Sequence, residues 1–457
     1  MLMSTRRSRL ATAIPPVVTL TEFRSRFHRS LTSWGDALFE LTDAILCAPA
    51  PVVSVPGLSL EPVFRRSHGS LYKALDQGRV DADALRDLLA KDRPPDWPLV
   101  FAVDASTWAR CDAETSPERG FYYSASKHSA GKPIVAGWSY QWVTGLDWAN
   151  DSWTAPMDAR RISPADDAVR VTTDQARDLV DRLGHTEATP VFVSDAGYDA
   201  PALTHELTDV RADLVVRIRD DRVFYTDPPE RQPGTRGLPR RHGDRVKLSK
   251  PDTWPAPDQT LTAEDSRYGA VNVTAWHGLH PELGRRGHWT DLEQLPIVCG
   301  TIIRVEVEHL PKPTSRTKKT LWLWAAGPDL DLDVCWRAYL RRFDIEHGFR
   351  FVKNTLGWTT PALRTPEQAD RWTWPILAAY TQLRLARTLV ADLRLPWERR
   401  RPPGRLTPAR VRRGFRRLAT TLGTPASPPK SRSPGHGRPK GTSKPPRTRY
   451  PAIKKAA

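Results

Sequence analysis

The chain has 457 residues, 39% of them hydrophobic and 17 of them Trp, enough for two or three packed domains; a wholly disordered protein is excluded. Its four cysteines include no Cys-x-x-Cys pair, which argues against a disulfide framework or a cysteine zinc site and fits a reducing cytosol; no run of eighteen apolar residues exists to span a membrane. The formal net charge of +17, from 69 Lys+Arg against 52 Asp+Glu, points to a polyanionic partner.

The opening Met1-Leu-Met-Ser-Thr-Arg-Arg-Ser-Arg carries a twin arginine, but Pro15 and Pro16 break the short apolar run behind it, as in an ordinary cytosolic N-terminus. Phe23, Phe27, Leu31, Trp34 and Leu38 then recur at helical spacing. Two shorter helices around Leu71–Leu75 and Ala82–Leu89 flank Gly78-Arg79; they allow a helix-turn-helix, although a plain helical hairpin is commoner. Residues 1–95 thus read as a helical, DNA-binding region, closed by the proline-rich Lys91–Pro98.

Strand and helix patterns alternate from Leu99 onward. Strands are expected at Leu99–Val103, Ile134–Val143, Pro190–Ser194, Leu214–Ile218, Ile297–Val307 and Thr320–Ala326. Helices are expected at Ala165–Leu183, Ala200–Leu207, Leu332–Leu356 and Thr373–Leu393. This order predicts a mixed α/β sheet covered by helices, in two parts (96–219 and 297–395) separated by a polar, turn-rich insertion at 220–296.

The excess charge lies at the end. Residues 396–457 hold 18 Lys and Arg against the single acid Glu398, leaving the first 395 residues neutral. Such a block suits phosphate neutralisation. Thr407–Leu422 has helix-start chemistry and an apolar stripe of Val411, Phe415, Leu418 and Leu422, with Arg410, Arg413 and Arg417 on another side to meet DNA. The rest of this tail is Pro/Ser/Gly/Lys/Arg-rich and is expected to be largely disordered when alone. In it Gly437-Arg438-Pro439-Lys440-Gly441 resembles an AT-hook core, offering Arg438 and Lys440 to a narrow minor groove.

Asp104 and Asp195 each end a short apolar strand, and strand-end carboxylates of neighbouring strands can converge. A third acid stands in Tyr339-Leu-Arg-Arg342-Phe-Asp-Ile-Glu346-His-Gly-Phe-Arg-Phe-Val-Lys353. On one helix Tyr339, Arg342, Glu346 and Lys353 would fall within roughly 60° of each other, beside an apolar face of Ile345, Phe349, Val352 and Leu356.

The spacing Tyr-x2-Arg-x3-Glu-x6-Lys resembles the signature of a large group of bacterial insertion-sequence transposases with a DDE triad. Val103-Asp104-Ala-Ser-Thr and Ser194-Asp195-Ala-Gly197-Tyr198 resemble the blocks around its two aspartates. The resemblance spans residues 97 to 392 and implies an RNase H-like fold, with Asp104 on the first strand, Asp195 on the fourth and Glu346 on a helix behind the sheet. It also implies a β-rich insertion before the third acid. Three carboxylates of this kind imply two Mg²⁺ (or Mn²⁺) ions for phosphodiester cleavage and strand transfer. Arg342, Lys353, Arg350 and Tyr339 would contact DNA, and Trp289 is a candidate for base stacking. The resemblance thus implies a cytoplasmic, nucleoid-associated enzyme that binds terminal inverted repeats and target DNA, as a homodimer on DNA. A domesticated, catalytically silent DNA-binding protein and an RNase H-like nuclease without strand transfer are the competing readings.

Overall fold

The computed structural model describes residues 15–124, 133–149, 151–231, 237–310, 318–402, 404–431, 439, 441, 443 and 446–454. Among these, helices α1 (Pro16–Ser30), α2 (Gly35–Cys47), α3 (Val55–Leu58), α4 (His68–Gln77) and α5 (Ala82–Lys91) come first. Strands β1 (Val100–Ala109), β2 (Gly120–Tyr123), β3 (Ile134–Gly145) and β4 (Ala155–Ile162) follow. Next come α6 (Ala168–Leu183), β5 (Val191–Ser194), α7 (Ala200–Glu206) and β6 (Asp213–Ile218). The strands β7 (Val223–Tyr225), β8 (Arg245–Lys247), β9 (Gln259–Asp265), β10 (Gly269–Leu279), β11 (Gly300–Val307) and β12 (Thr320–Ala326) precede the last helices. These are α8 (Leu332–Arg342), α9 (Asp344–Asn354), α10 (Pro366–Leu385) and α11 (Pro408–Leu422).

The chain divides into two compact units. One takes Met1–Leu88, Phe351–Pro361 and Arg371–Gly435; the other takes Leu89–Arg350, Ala362–Asp370 and His436–Ala457.

The second unit is built on a ten-stranded mixed sheet in the order β2-β3-β1-β5-β6-β12-β11-β10-β9, with β4 also on β3. Within it, β4-β3-β1-β5-β6 is the RNase H-like core: an antiparallel β1-β3-β4 meander with β5 and β6 running parallel to β1. Strand β2 is a short addition to the meander, so Asp195 follows the fifth strand in chain order and the fourth of this core. Beyond β6 the sheet continues through four antiparallel strands, two of which (β9 and β10) come from residues 220–296.

Helix starts follow the local chemistry. Asp167, Asp199 and Asp331 cap α6, α7 and α8 by accepting the N–H of Val169, Ala202 and Asp333. Strand β4 alternates the buried Ala155, Met157 and Ala159 with the charged Asp158 and Arg160, of which Asp158 is buried too. Both are satisfied locally: the Arg160 guanidinium bonds Asp158 at 2.7 Å and pairs with Asp178, while Gln175 donates to Asp158 at 3.0 Å.

Two expectations need correction. The strand carrying Asp104 does not end there but runs on to Ala109, because Ser106 and Trp108 stay buried opposite β3. The helix expected over Leu332–Leu356 is divided at Phe343. There the Glu346 N–H bonds the Phe343 carbonyl at 3.1 Å, a three-residue closure in place of the four-residue ladder.

The first unit is helical. The α11 helix packs on α2 with Val411 and Phe415 fully buried, and Arg412 donates to the carbonyls of Ile45 and Ala50 at 3.0 Å each. A buried polar knot joins distant segments. Arg24 grips both carboxylate oxygens of Asp43 at 2.7 and 2.9 Å and donates to Gln382 Oε1 at 2.7 Å. Removing only the cation strands a buried carboxylate. Arg24→Met should therefore cost about 3–5 kcal/mol in urea unfolding, and adding Asp43→Leu should recover most of it. Additive losses in the double variant would contradict this account.

Candidate active site

The parallel pairing of β1 with β5 sets Ala102 opposite Val193. Carrying that register two residues further brings Asp104 level with Asp195, which begins the turn after β5. Asp195 is steadied by the N–H of Gly197, 2.9 Å from its Oδ1, and Asp104 by the N–H of Ala105 at 2.9 Å. Helix α8 packs on β5, β6 and β1. Its last residue, Arg342, reaches Asp104 with Nη1 3.4 Å from Oδ2, both side chains being largely shielded from water. Just past the Phe343 break, Glu346 sits in the first turn of α9, where Phe349 stacks edge-on against Trp142 of β3 at 5.7 Å.

The electrostatics show that the three acids are together. Burial pushes the Asp104 carboxyl up to about 7; Arg342 pulls the other way, and the charges of Asp195 and Glu346 add to the rise. Burial disfavours the Arg342 cation, yet Tyr339, Asp104, Asp195 and Glu346 hold its pKa above the ordinary value. Asp104, Asp195, Glu346 and Arg342 thus form one centre with an excess of negative charge.

Two residues to which the sequence assigned no role, Tyr198 and Gln141, stand beside these acids. Burial drives the Tyr198 phenol well above its ordinary range, reinforced by Asp104; its hydroxyl donates to Gln141 Oε1 at 2.9 Å. Tyr198 was visible in the Ser-Asp-Ala-Gly-Tyr block, but Gln141 lies in the middle of β3 with no local signal.

The other expected site residues are more dispersed. Tyr339 is buried, with the Arg342 guanidinium 5.8 Å from its ring centre. Arg350 is exposed on α9. Lys353, two turns beyond Glu346, belongs to the helical unit, its ammonium 5.9 Å from the Trp358 ring. Trp289 is 3% exposed and packs against His205 at 5.6 Å. In α11, Arg410 is buried against Asp392 at 3.1 Å and Arg413 pairs with Glu398 at 2.6 Å, while Arg417 is exposed. Arg438 and Lys440 lie outside the described residues.

Clustered carboxylates offering only oxygen, with Asp104 buried enough to hold a proton near neutrality, are a donor set that suits a hard divalent cation. A model of the DDE superfamily endonuclease family matches residues 22–282, a stretch that contains Asp104 and Asp195 and stops short of Glu346. No curated protein matches the chain. Endonucleases of this superfamily act on DNA and use divalent metal ions. Since the match covers more than half of the 457 residues and the fold brings the acids together, the chain belongs to the DDE superfamily endonucleases.

Proposed function

We propose that the chain is an insertion-sequence transposase, one that binds terminal inverted repeats, cuts there and joins the ends to target DNA. The observation that carries this reading is Glu346. It lies outside the family match, yet it shares the field of Asp104 and Asp195 while standing in the Tyr339–Arg342–Glu346–Lys353 spacing.

In this reading Asp104, Asp195 and Glu346 hold Mg²⁺ or Mn²⁺, two ions in all. Bound there, the ions would polarise the phosphodiester and favour ionisation of the attacking water or 3′-hydroxyl. Arg342 restrains Asp104 and offers its remaining N–H groups to a phosphate oxygen. The Tyr198–Gln141 hydrogen bond stiffens the turn carrying Asp195. Arg350 and Arg417, both exposed, and the basic end of the chain would follow the DNA backbone; Tyr339 and Lys353, on α8 and α9, would add contacts to the same DNA. Base stacking by Trp289 requires its segment to open. A nuclease without strand transfer is separated by one assay: joining of a pre-cut end to a second DNA.

Glu346→Gln keeps the shape and removes a metal-binding charge. It should lower Mg²⁺-dependent cleavage about a thousandfold or more and leave affinity for end DNA within about threefold. Undiminished cleavage would take Glu346 out of the site.

The crowding predicts a gain of stability when one acid is neutralised. The Asp104 carboxyl stands near 7 when folded and near 3.8 when unfolded, so the folded state binds the extra proton in that window and stability falls as pH rises through it. Without metal at pH 8, Asp104→Asn should be more stable than the parent by about 1–3 kcal/mol, and the gap should close towards pH 4. Mg²⁺ should raise the parent's Tm and leave that of Asp104→Asn nearly unchanged. Thermal unfolding across pH with and without Mg²⁺ checks both.

For the basic end, Arg432, Arg438, Lys440 and Lys444 can be changed together to Gln, leaving α11 and its ion pairs intact. The slope of log K against log salt for duplex DNA should flatten by about 0.9 for each phosphate that the variant no longer neutralises. An unchanged slope would assign DNA binding to the body of the protein.

A further inference from the structure

Far along the sequence from the three acids, turns of residues 220–300 bring a carboxylate, an imidazole and a thiol together. Asp227 follows β7, His280 follows β10, and Cys299 precedes β11. The backbone fixes their approach. Tyr225 and His280 exchange N–H···O bonds of 2.8 and 3.0 Å, tying the end of β10 to β7. Gly243 lies so close to the Asp227 carbonyl that a Cβ there would collide with it, which brings His242 alongside.

The ligating atoms of Asp227, His280 and Cys299 all lie within 4.8 Å of one another. His280 is fully buried, yet its Nδ1 has no hydrogen-bond partner among the described residues; the nearest Asp227 oxygen is 3.9 Å away. Its other ring nitrogen, Nε2, is 2.9 Å from His242 Nδ1. If Nε2 carries the proton and donates it to His242, Nδ1 presents a bare lone pair to Asp227 and Cys299. A buried polar atom left without a partner ordinarily costs about 1–3 kcal/mol, so this geometry calls for a ligand.

We propose that Asp227, His280 and Cys299 form a zinc site, with His242 as the residue that orients His280. The set of one oxygen, one nitrogen and one sulfur suits Zn²⁺ and not Mg²⁺. Tetrahedral zinc wants its donors about 3.3–3.8 Å apart, a contraction within reach of the two exposed side chains, Asp227 and Cys299. Water takes the fourth position. On binding, the Cys299 thiol loses its proton to solvent and the thiolate bonds the metal.

The consequence is mechanical. His280 and Cys299 bracket the connection between β10 and β11, and this connection carries Arg286 and Trp289 along a cleft of about 510 Å³. Tyr198, Arg217 and Arg222 line the same cleft, as does Ala196, the residue after Asp195. A metal joining both ends of the connection to Asp227 fixes that wall. The proposal does not depend on the transposase reading, and either can fail alone.

The test uses the full-length protein, stripped with a chelator and titrated with Zn²⁺ by calorimetry and with Co²⁺ by absorption. One tight Zn²⁺ per chain is expected, together with a cobalt–thiolate charge-transfer band, in both the parent and Glu346→Gln. Cys299→Ser should lose the band and about a hundredfold or more in zinc affinity, and Asp227→Asn should weaken zinc while keeping the band. His242→Ala should weaken zinc about tenfold. A parent that binds no zinc, or a Cys299→Ser protein that binds it as tightly and with the band intact, would overturn the proposal.

Discussion

Three carboxylates brought together where water is scarce repel one another, and the arrangement around them answers to that repulsion. The parallel β1–β5 register sets two of them level, and a helix end supplies the third. One guanidinium, Arg342, is held within 3.4 Å to offset part of the charge. Burial, reinforced by the negative charge it leaves over, raises the Asp104 carboxyl to about 7. A rigid scaffold is needed to keep such groups from separating, and the buried central strands, with α8 packed across them, provide it.

The sheet extends well past the core that positions the acids. Strands β12, β11, β10 and β9 continue it on the far side of β6, so residues between the second and third acids are tied into the same hydrogen-bonded layer. The long interval between Asp195 and Glu346 is therefore structural material, and it carries the Asp227–His280–Cys299 cluster at its turns.

Much of this was legible in the sequence, for identifiable reasons. Strand β12 and helices α6, α7 and α11 have clean periodicity or caps, and their positions match to within a few residues. The acids were legible because each stands in a short local block. Strand β4 was not: its apolar residues Ala155, Met157 and Ala159 alternate with Asp158 and Arg160, charges that only partners such as Gln175 and Asp178 make tolerable there. The break at Phe343 was hidden because no proline or glycine marks it. The ion pairs of Arg410 and Arg413 were hidden too: composition cannot show that these arginines meet Asp392 and Glu398. A cysteine count that finds no Cys-x-x-Cys likewise cannot see three ligand types converging from separate turns.

The buried knot of the helical unit has a bearing on synthesis. Arg24 is among the earliest described residues to emerge, but its partner Gln382 comes 358 positions later, and α11 later still. Until then the face of α2 on which α11 packs lacks its cover, and that unit cannot close before almost the whole chain has been made. A product terminated before α9 would have neither Glu346 nor a closed helical core. Such fragments would go to chaperones, proteases or aggregates and would not persist as stable competitors of the intact protein.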